Sequence, residues 1–407
     1  MLPSFGPGLT LVLLLLTPIL WSFPVSLAMS ELASAMPDEG GYVTWVSRAF
    51  GPFWGFQVGW WSWIDSFVDV AVYPALFVEY VKFWRPEMTG VERWSSALAF
   101  IATLTTLNVI GVRAVGRAAV LLAICALAPV ALLVIVGLPS VSHPPWRPFL
   151  AESQTVTAGL GLGIAVVMWN YSGWDTPSTT LGETRQPERA FRLALFCALP
   201  LITAAYVLPI GVAVASGALP WTEWTTGALP AIAASIGGSW LGHAMAVGAV
   251  VSTAGLFLSL LLTNSRLPYV LARDGRLPTW LAAVHPRFGT PWTAVLVSAA
   301  FYAAFAGFSF KELIVLNVWL YSVSLVVELA AFVWLRWSAP AMPRPWRVPG
   351  GTPAVLLVAG APAAFALLAI ATAGWLNTLA GVVTLLTGPA AYLLAPRRAA
   401  AGPDGRR

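Results

Sequence analysis

The segment Met168-Trp-Asn-Tyr-Ser-Gly-Trp-Asp-Thr-Pro177 places an amide, hydroxyls and a carboxylate inside an otherwise apolar stretch of the chain. The preceding residues, Ala158 to Val167, are small and apolar, which is typical of a membrane helix. Pro177 removes a backbone donor and Gly173 relaxes the turn, so we expect the helix to break here. Broken backbone survives at membrane depth only where it is buried in protein or lines a polar cavity. The segment therefore predicts a discontinuous helix beside a polar cavity, as in the substrate sites of transporters.

A kinked helix, with its polar side chains satisfied by neighbouring helices, is the alternative to a broken one. Kinks are common in membrane helices, where neighbours and ordered water satisfy the freed backbone groups. Asp175 argues for the broken helix, because an ionisable residue inside a span indicates a functional site by default.

The composition is that of an all-α polytopic membrane protein. The 407 residues are 58% hydrophobic and only 10% charged, and they include 21 Trp. A span needs roughly 20 apolar residues, and about eleven such stretches occur. Residues 1–396 are therefore predicted to form a single transmembrane domain, and residues 397–407 a polar cytoplasmic tail. The predicted spans cover about residues 8–33, 51–83, 95–110, 114–138, 156–182, 191–216, 239–263, 292–308, 312–335, 353–373 and 375–394.

Several other classes of protein are disfavoured by the same sequence. The net charge of +5 does not indicate a nucleic-acid partner, because the arginines are spread over short loops. Cys125 and Cys197 lie in apolar runs and are interpreted as small core residues, with neither a disulfide framework nor a metal motif. An intramembrane enzyme would need a nucleophile and base, or a ligand cluster, at matching depth. The histidines are scattered, none lies near Asp65, Asp69 or Asp175 in sequence, and no paired His motif occurs. We expect no enzyme activity, no cofactor and no metal site.

The positive residues predict the orientation of the chain in the membrane. With the N-terminus outside, 17 of the 22 Lys and Arg lie in inner loops or the tail, and 5 lie outside. An uncleaved first span that enters from outside without a flanking charge is unusual. We therefore expect that a further span once preceded Met1. The five outer residues are Lys82, Arg85, Arg93, Arg147 and Lys311.

Acidic residues inside or near the spans lack basic residues at a comparable depth. These acids are Asp65, Asp69, Glu79, Asp175 and Glu328. A desolvated carboxylate without a basic partner must be protonated or paired with a cation that the chain does not encode. A cationic substrate, a proton or a metal cation would each serve.

Asp65, Asp69 and Tyr73 are spaced i, i+4 and i+8, so they are predicted to form one stripe along the second span. The alternative for the aspartate pair is that both side chains are simply polar groups whose hydrogen bonds are satisfied by neighbouring helices. Asp175 is the stronger candidate because it also lies on the broken segment. Three aromatic residues of that segment are candidates for cation–π stacking on an alkylammonium group. They are Trp169, Tyr171 and Trp174.

Glu31, Glu183 and Glu328 each have two candidate roles. Glu31 and Glu183 lie at inner ends of spans, near Arg48 and Arg185, and are interpreted as an inner gate or as structural ion pairs. Glu328 follows an apolar run, so that a packing role is as plausible as a role in transport.

Short motifs spread over nearly the whole chain carry a family resemblance. They are Trp21-Ser-Phe-Pro24, Ser30-Glu-Leu32, Pro37-Asp-Glu-Gly-Gly-Tyr-Val-Thr-Trp-Val46, Gly51-Pro-Phe-Trp-Gly-Phe-Gln57, Tyr73-Pro-Ala-Leu-Phe77, Trp169-Asn-Tyr-Ser-Gly-Trp-Asp175 and Arg273-Asp-Gly-Arg-Leu-Pro278. Together they resemble the amino acid, polyamine and organocation transporter superfamily. Within it, the sequence looks most like the polyamine uptake transporters of plants and protozoa and their bacterial relatives.

The resemblance implies a LeuT-like inverted-repeat bundle of five plus five helices, followed by two more, with substrate held between broken helices. It places Asp175 at a carboxylate implicated in substrate or proton coupling, Trp169 at a gating aromatic and Asp69 at an acid of the third family helix. The chain begins where the family's second helix begins. The glycine-rich first helix is therefore expected to be missing, through a late start codon or a truncation.

The leading hypothesis is a secondary active transporter of a bacterial inner membrane that imports an organic cation, such as a polyamine, with protons. The alternatives are an amino acid permease or exchanger and, from another class, a truncated membrane protein that does not transport. Asp69 and Asp175 are the candidates for proton coupling, and Glu31, Glu183 and Trp169 for gates. The hypothesis requires the aspartates to lie together, away from lipid and from arginines. The predicted substrate-binding residues are Asp65, Asp69, Tyr73, Trp169, Asn170, Tyr171, Gly173, Trp174 and Asp175.

Overall fold

The computed structural model describes residues 2–151, 156–308 and 310–394, and the side chains of these ranges except 112–119, 156–162, 188 and 310–312. Helices form the regular secondary structure of the described ranges, which contain no β-strand. Short π and 3₁₀ segments join some of them, at Pro18–Ser22, Leu138–Ser140, Thr176–Glu183, Trp221–Glu223 and Thr279–Ala282. The α-helices are α1 Leu2–Phe5, α2 Pro7–Thr17, α3 Phe23–Ala35, α4 Tyr42–Phe50, α5 Pro52–Asp69, α6 Val72–Val81, α7 Gly90–Ile110, α8 Val112–Gly137, α9 Val156–Asn170, α10 Pro187–Ser216, α11 Leu229–Gly237, α12 Ser239–Asn264, α13 Arg266–Arg273, α14 Trp292–Phe305, α15 Phe310–Ser338, α16 Gly351–Thr372 and α17 Trp375–Leu394.

Each of the eleven predicted spans contains one or two of these helices. Within the described residues, seven segments are long and apolar enough to cross a membrane, among them Pro7–Ala35 and Leu313–Ser338. The all-α, polytopic membrane class is therefore confirmed. The predicted tail, residues 397–407, lies outside the described residues.

The second predicted span is not one continuous helix, and this expectation was wrong. Helix α5 ends at Asp69 and α6 begins at Val72. The cause lies in Pro74, whose nitrogen has no hydrogen to donate to the carbonyl of Val70 and whose ring would clash with that carbonyl. The Tyr73 amide donates to the Val70 carbonyl instead, at 3.2 Å, in a tighter turn. A second interruption therefore lies beside Asp69.

Helix α15 lies at the centre of the bundle and positions much of the site. It packs against α4, α5, α9, α16 and α17, and it also contacts α3 and α6. Its sequence is mainly apolar around the helix, which is typical of a helix surrounded by other helices. Its polar residues Asn317, Ser324 and Glu328 are buried.

The two cysteines were wrongly assigned to the core. Cys125 on α8 and Cys197 on α10 are free thiols exposed on the outer surface of the bundle. In a membrane helix both the lipid-facing and the core-facing sides are apolar, so an apolar run does not reveal which side a residue occupies.

Candidate functional site

The predicted break in the helix at Met168 to Pro177 is confirmed. Helix α9 ends at Asn170, and the next regular segment is the 3₁₀ helix Thr176–Glu183. Gly173, between them, has a φ of 86°, a conformation that L side chains rarely adopt. The Ser22 hydroxyl donates to the freed carbonyl of Tyr171 at 3.1 Å, so that backbone group is satisfied.

A cavity of about 190 Å³ lies beside this break. It is smaller than the roughly 300 Å³ at which sites for drug-sized ligands begin, so its volume suits a small molecule. Its walls come from both interrupted segments, from α4, α12 and α15. The lining residues are Tyr42, Ser62, Asp65, Ser66, Asp69, Tyr73, Trp169, Ser172, Gly173, Asp175, Thr176, Leu256, Leu260, Asn264, Asn317 and Tyr321.

Three aspartates meet in this cavity, and each accepts a hydrogen bond from a neutral donor. Asn317 Nδ2 donates to Asp65 Oδ1 at 3.1 Å. Trp169 Nε1 donates to Asp69 Oδ1 at 3.0 Å. The Tyr321 hydroxyl donates to Asp175 Oδ1. The structure thus brings together acids separated by more than a hundred positions in the sequence.

No basic side chain balances these acids: the described residues that line the cavity include no Lys, Arg or His. Desolvated carboxylates this close together disfavour their common ionisation unless a cation lies among them. The cavity therefore has the electrostatics of a site for protons or for a positively charged ligand.

Aromatic groups complete one wall of the cavity. The rings of Tyr73 and Trp169 lie 5.8 Å apart, centroid to centroid, at an interplanar angle of 32°. Tyr73 is on α6 and Trp169 on α9, so this pair joins the two interrupted segments. The faces of such rings attract cations.

Three of the predicted binding residues do not line the cavity. The Tyr171 hydroxyl donates to the Leu14 carbonyl at 2.9 Å, and Trp174 Nε1 donates to the Tyr171 carbonyl at 2.6 Å. Asn170 Nδ2 donates back to the Val166 carbonyl at 2.9 Å. These side chains hold the interrupted backbone in place.

Several residues that line the cavity were not predicted from the sequence. Tyr321 is the most connected of them, because its hydroxyl accepts from the Gly173 amide at 3.1 Å while it donates to Asp175. Asn317 lies one turn before it on α15, and this pair of polar residues in an apolar run was an available signal. Tyr42 follows the Gly40-Gly41 turn at the start of α4.

The acids predicted at the inner ends of the spans have partners other than those expected. Glu31 pairs with Arg336 and Arg344, each at 3.2 Å, and not with Arg48. The Val348 amide also donates to Glu31, at 2.8 Å. The expected partner was chosen for its nearness in sequence, whereas Arg336 and Arg344 reach the end of α3 from another part of the chain.

Glu183 pairs with Arg266, at 2.9 Å, and not with Arg185. Arg266 is only 1% exposed, and its guanidinium group meets both carboxylate oxygens of Glu183. Glu79 also differs from the expectation, because it forms an ion pair with Lys82 near the end of α6. Glu79 therefore does not belong with the unbalanced acids.

Comparisons with known proteins show which family the chain resembles. The model of a family described as amino acid permease matches residues 4–390. The chain is 35% identical to polyamine transporter RMV1 of Arabidopsis thaliana, over 85% of this chain and 70% of that protein. It is 34% identical to a probable polyamine transporter of the same plant, over 87% and 70% of the two chains. It is 24% identical to the branched-chain amino acid permease BcaP of Bacillus subtilis, over 97% and 86%.

Proposed function

The chain belongs to the amino acid permease family, and from that premise we propose that it is a secondary active transporter that imports a polyamine together with protons. The observation that carries this proposal is the meeting of Asp65, Asp69 and Asp175 in one cavity whose described lining contains no basic residue. A linear polyamine supplies the missing positive charge at both ends of a flexible chain. Its methylene groups would pack on Trp169 and Tyr73, and cation–π attraction is worth about 2 kcal/mol when desolvated.

The number of acids supports coupling to a proton. A diamine carries two ammonium groups, whereas the cavity holds three aspartates. With a diamine bound, two carboxylates are paired with ammonium groups and the third is not. An uncompensated buried charge is strongly unfavourable, so this third group should be protonated. We assign this proton to Asp69, which leaves the Asp175 carboxylate to pair with an ammonium group. Proton and substrate are then bound at the same time, as symport requires.

Two ion pairs away from the cavity, on the side where α3 and α15 end, form the proposed inner gate. Glu31 with Arg336, and Glu183 with Arg266, join segments that must separate if the cavity is to open at that end. Trp169 is assigned to a gate on the cavity itself. The excess of arginine at this end supports a cytoplasmic location, with the chain in a bacterial inner membrane.

An amino acid is the alternative substrate, supported by the similarity to BcaP. The cavity argues against it, since an amino acid would bring its own carboxylate among three acids. The Gly173 amide, a candidate donor for that carboxylate, is already bonded to the Tyr321 hydroxyl.

The proposal is tested with the purified protein in liposomes. We expect an inward proton gradient to drive accumulation of radiolabelled putrescine, compared with protein-free liposomes as the control. Unlabelled spermidine should compete, whereas leucine and arginine should not. Stronger competition by leucine than by putrescine would show that the substrate is an amino acid, and an absence of any uptake would refute a transport function.

A further inference from the structure

Helix α15 carries a polar stripe that extends beyond the cavity. Asn317, Tyr321, Ser324 and Glu328 are spaced by four, three and four residues, which places them on one face of the helix. Asn317 and Tyr321 line the cavity, and Ser324 and Glu328 do not. At 1.5 Å per residue, Glu328 lies about 10 Å further along the helix axis than Tyr321. The stripe thus leads from the cavity toward the end where Glu31 and Arg336 form their ion pair.

The outer two members of this stripe are buried, and each has a polar atom without a hydrogen-bond partner. Glu328 is 1% exposed and Ser324 is 3% exposed. Glu328 Oε2 and Ser324 Oγ make no hydrogen bond to any described group of the chain. Buried polar atoms are almost always paired, and an unpaired carboxylate oxygen is among the most costly exceptions. A proton or an internal water at this position would remove that cost.

The surroundings of Glu328 contain acids and phenols. Its electrostatic neighbours are Asp175, Tyr42 on α4 and Tyr321 on α15. None of the ion pairs among the described residues includes Glu328.

The helices packed against α15 bring no basic group to Glu328. Helices α16 and α17 and the described part of α9 contain no Asp, Glu, Lys, Arg or His. Helices α3, α5 and α6 bring Glu31, Asp65, Asp69 and Glu79, while Arg48 on α4 is exposed. Arg336, two turns further along α15, is engaged by Glu31 and by the Val348 carbonyl at 2.9 Å.

We propose that Glu328 is the carboxylate that receives the coupled proton from the cavity and releases it toward the inner side. This inference rests on the proposed function and adds a residue outside the substrate cavity. In the step, the Asp69 carboxylic acid gives up its proton and the Glu328 carboxylate gains one. The Tyr321 hydroxyl, the Ser324 hydroxyl and intervening water carry it by exchange of hydrogen bonds. Ser324 is spaced for this, about 4.5 Å from Tyr321 and about 6 Å from Glu328 along the axis.

The test separates proton-driven accumulation from exchange of substrate. Glu328→Gln has nearly the shape of a protonated glutamate but cannot take up or release a proton. In liposomes, we expect this variant to lose proton-driven putrescine accumulation by about tenfold or more, because it can no longer carry the coupled proton. Exchange of labelled for unlabelled putrescine without a gradient should remain within about twofold of the natural protein, because no net proton movement is needed.

Two further variants control for damage to the fold. Glu328→Asp keeps a titratable carboxyl group and should recover part of the accumulation. Ser322→Ala removes another buried, unpaired hydroxyl of α15 that lies outside the stripe, and it should leave both assays unchanged. Size-exclusion chromatography and thermal melting in detergent establish that each variant is folded.

Each outcome decides the inference. Normal accumulation by Glu328→Gln would overturn it, as would equal loss of accumulation and exchange in a folded variant, which would make Glu328 a substrate contact. If Glu328→Gln is not folded, normal accumulation by Glu328→Asp supports the inference, and loss of exchange by that variant contradicts it. If the natural protein transports no polyamine, the proposed function fails first, and the two failures are thereby distinguished.

Discussion

Replacing Asp175 with asparagine tests the assignment of the cavity most directly. The side chain keeps its size, and its Oδ1 can still accept from the Tyr321 hydroxyl, so the fold around the break should persist. What is lost is the negative charge that faces the ligand. Removal of one partner from a buried ion pair costs about 3–5 kcal/mol. Because 1.4 kcal/mol is a factor of ten, the Kd for putrescine should rise by about 100-fold to about 4,000-fold.

This prediction is measured by binding of radiolabelled putrescine to the purified protein and by uptake into liposomes. Glu223→Gln, the same loss of charge at an exposed residue outside the cavity, is the matched control and should bind normally. Size-exclusion chromatography establishes that Asp175→Asn is folded. Full binding and uptake by the folded Asp175→Asn variant would refute the assignment of this carboxylate to the substrate.

Three other substitutions test the neighbouring contacts. Tyr321→Phe removes the donor to Asp175 and the acceptor for the Gly173 amide. It should weaken putrescine binding by about 30-fold, since two hydrogen bonds of about 1 kcal/mol each are lost. Unchanged affinity would contradict the role of this hydroxyl. Trp169→Leu should weaken putrescine binding by about 30-fold, the equivalent of about 2 kcal/mol of cation–π attraction. Trp169→Phe should retain much of the binding, because it keeps an aromatic ring. Glu183→Gln should lower the melting temperature because it leaves the buried Arg266 without a counter-charge. The cost should be less than the roughly 3–5 kcal/mol typical of a fully buried pair. Adding Arg266→Met should restore part of that stability, and a further loss in the double variant would contradict the pairing.

The position of the break and the acids of the cavity could be predicted from local sequence. Gly173 and Pro177 interrupt an apolar run, and aspartates at such depth need either a proton or a cation. These are properties of a residue and its immediate neighbours. Their juxtaposition followed from the requirement that unbalanced acids share a counter-charge.

The contacts that complete the site depend on packing over long distances in the chain. Tyr321 meets Asp175 from 146 positions away, and local sequence does not encode which faces of two apolar helices meet. The prediction of the partner of Glu31 was wrong for the same reason, since Arg336 comes from the far end of α15. The interruption between α5 and α6 is different. Pro74 was a local signal for this interruption. The helical spacing of Asp65, Asp69 and Tyr73 nevertheless favoured a continuous helix.

The double contact of the Tyr321 hydroxyl links ligand occupancy to the backbone. A cation that competes for Asp175 Oδ1 weakens the hold of that carboxylate on the phenol, and the phenol in turn is the acceptor for the Gly173 amide. One hydroxyl therefore connects the charge state of Asp175 to the hydrogen bond that holds the Gly173 turn. If a cation binds Asp175 as proposed, filling the cavity and loosening the Gly173 turn are coupled through this hydroxyl oxygen.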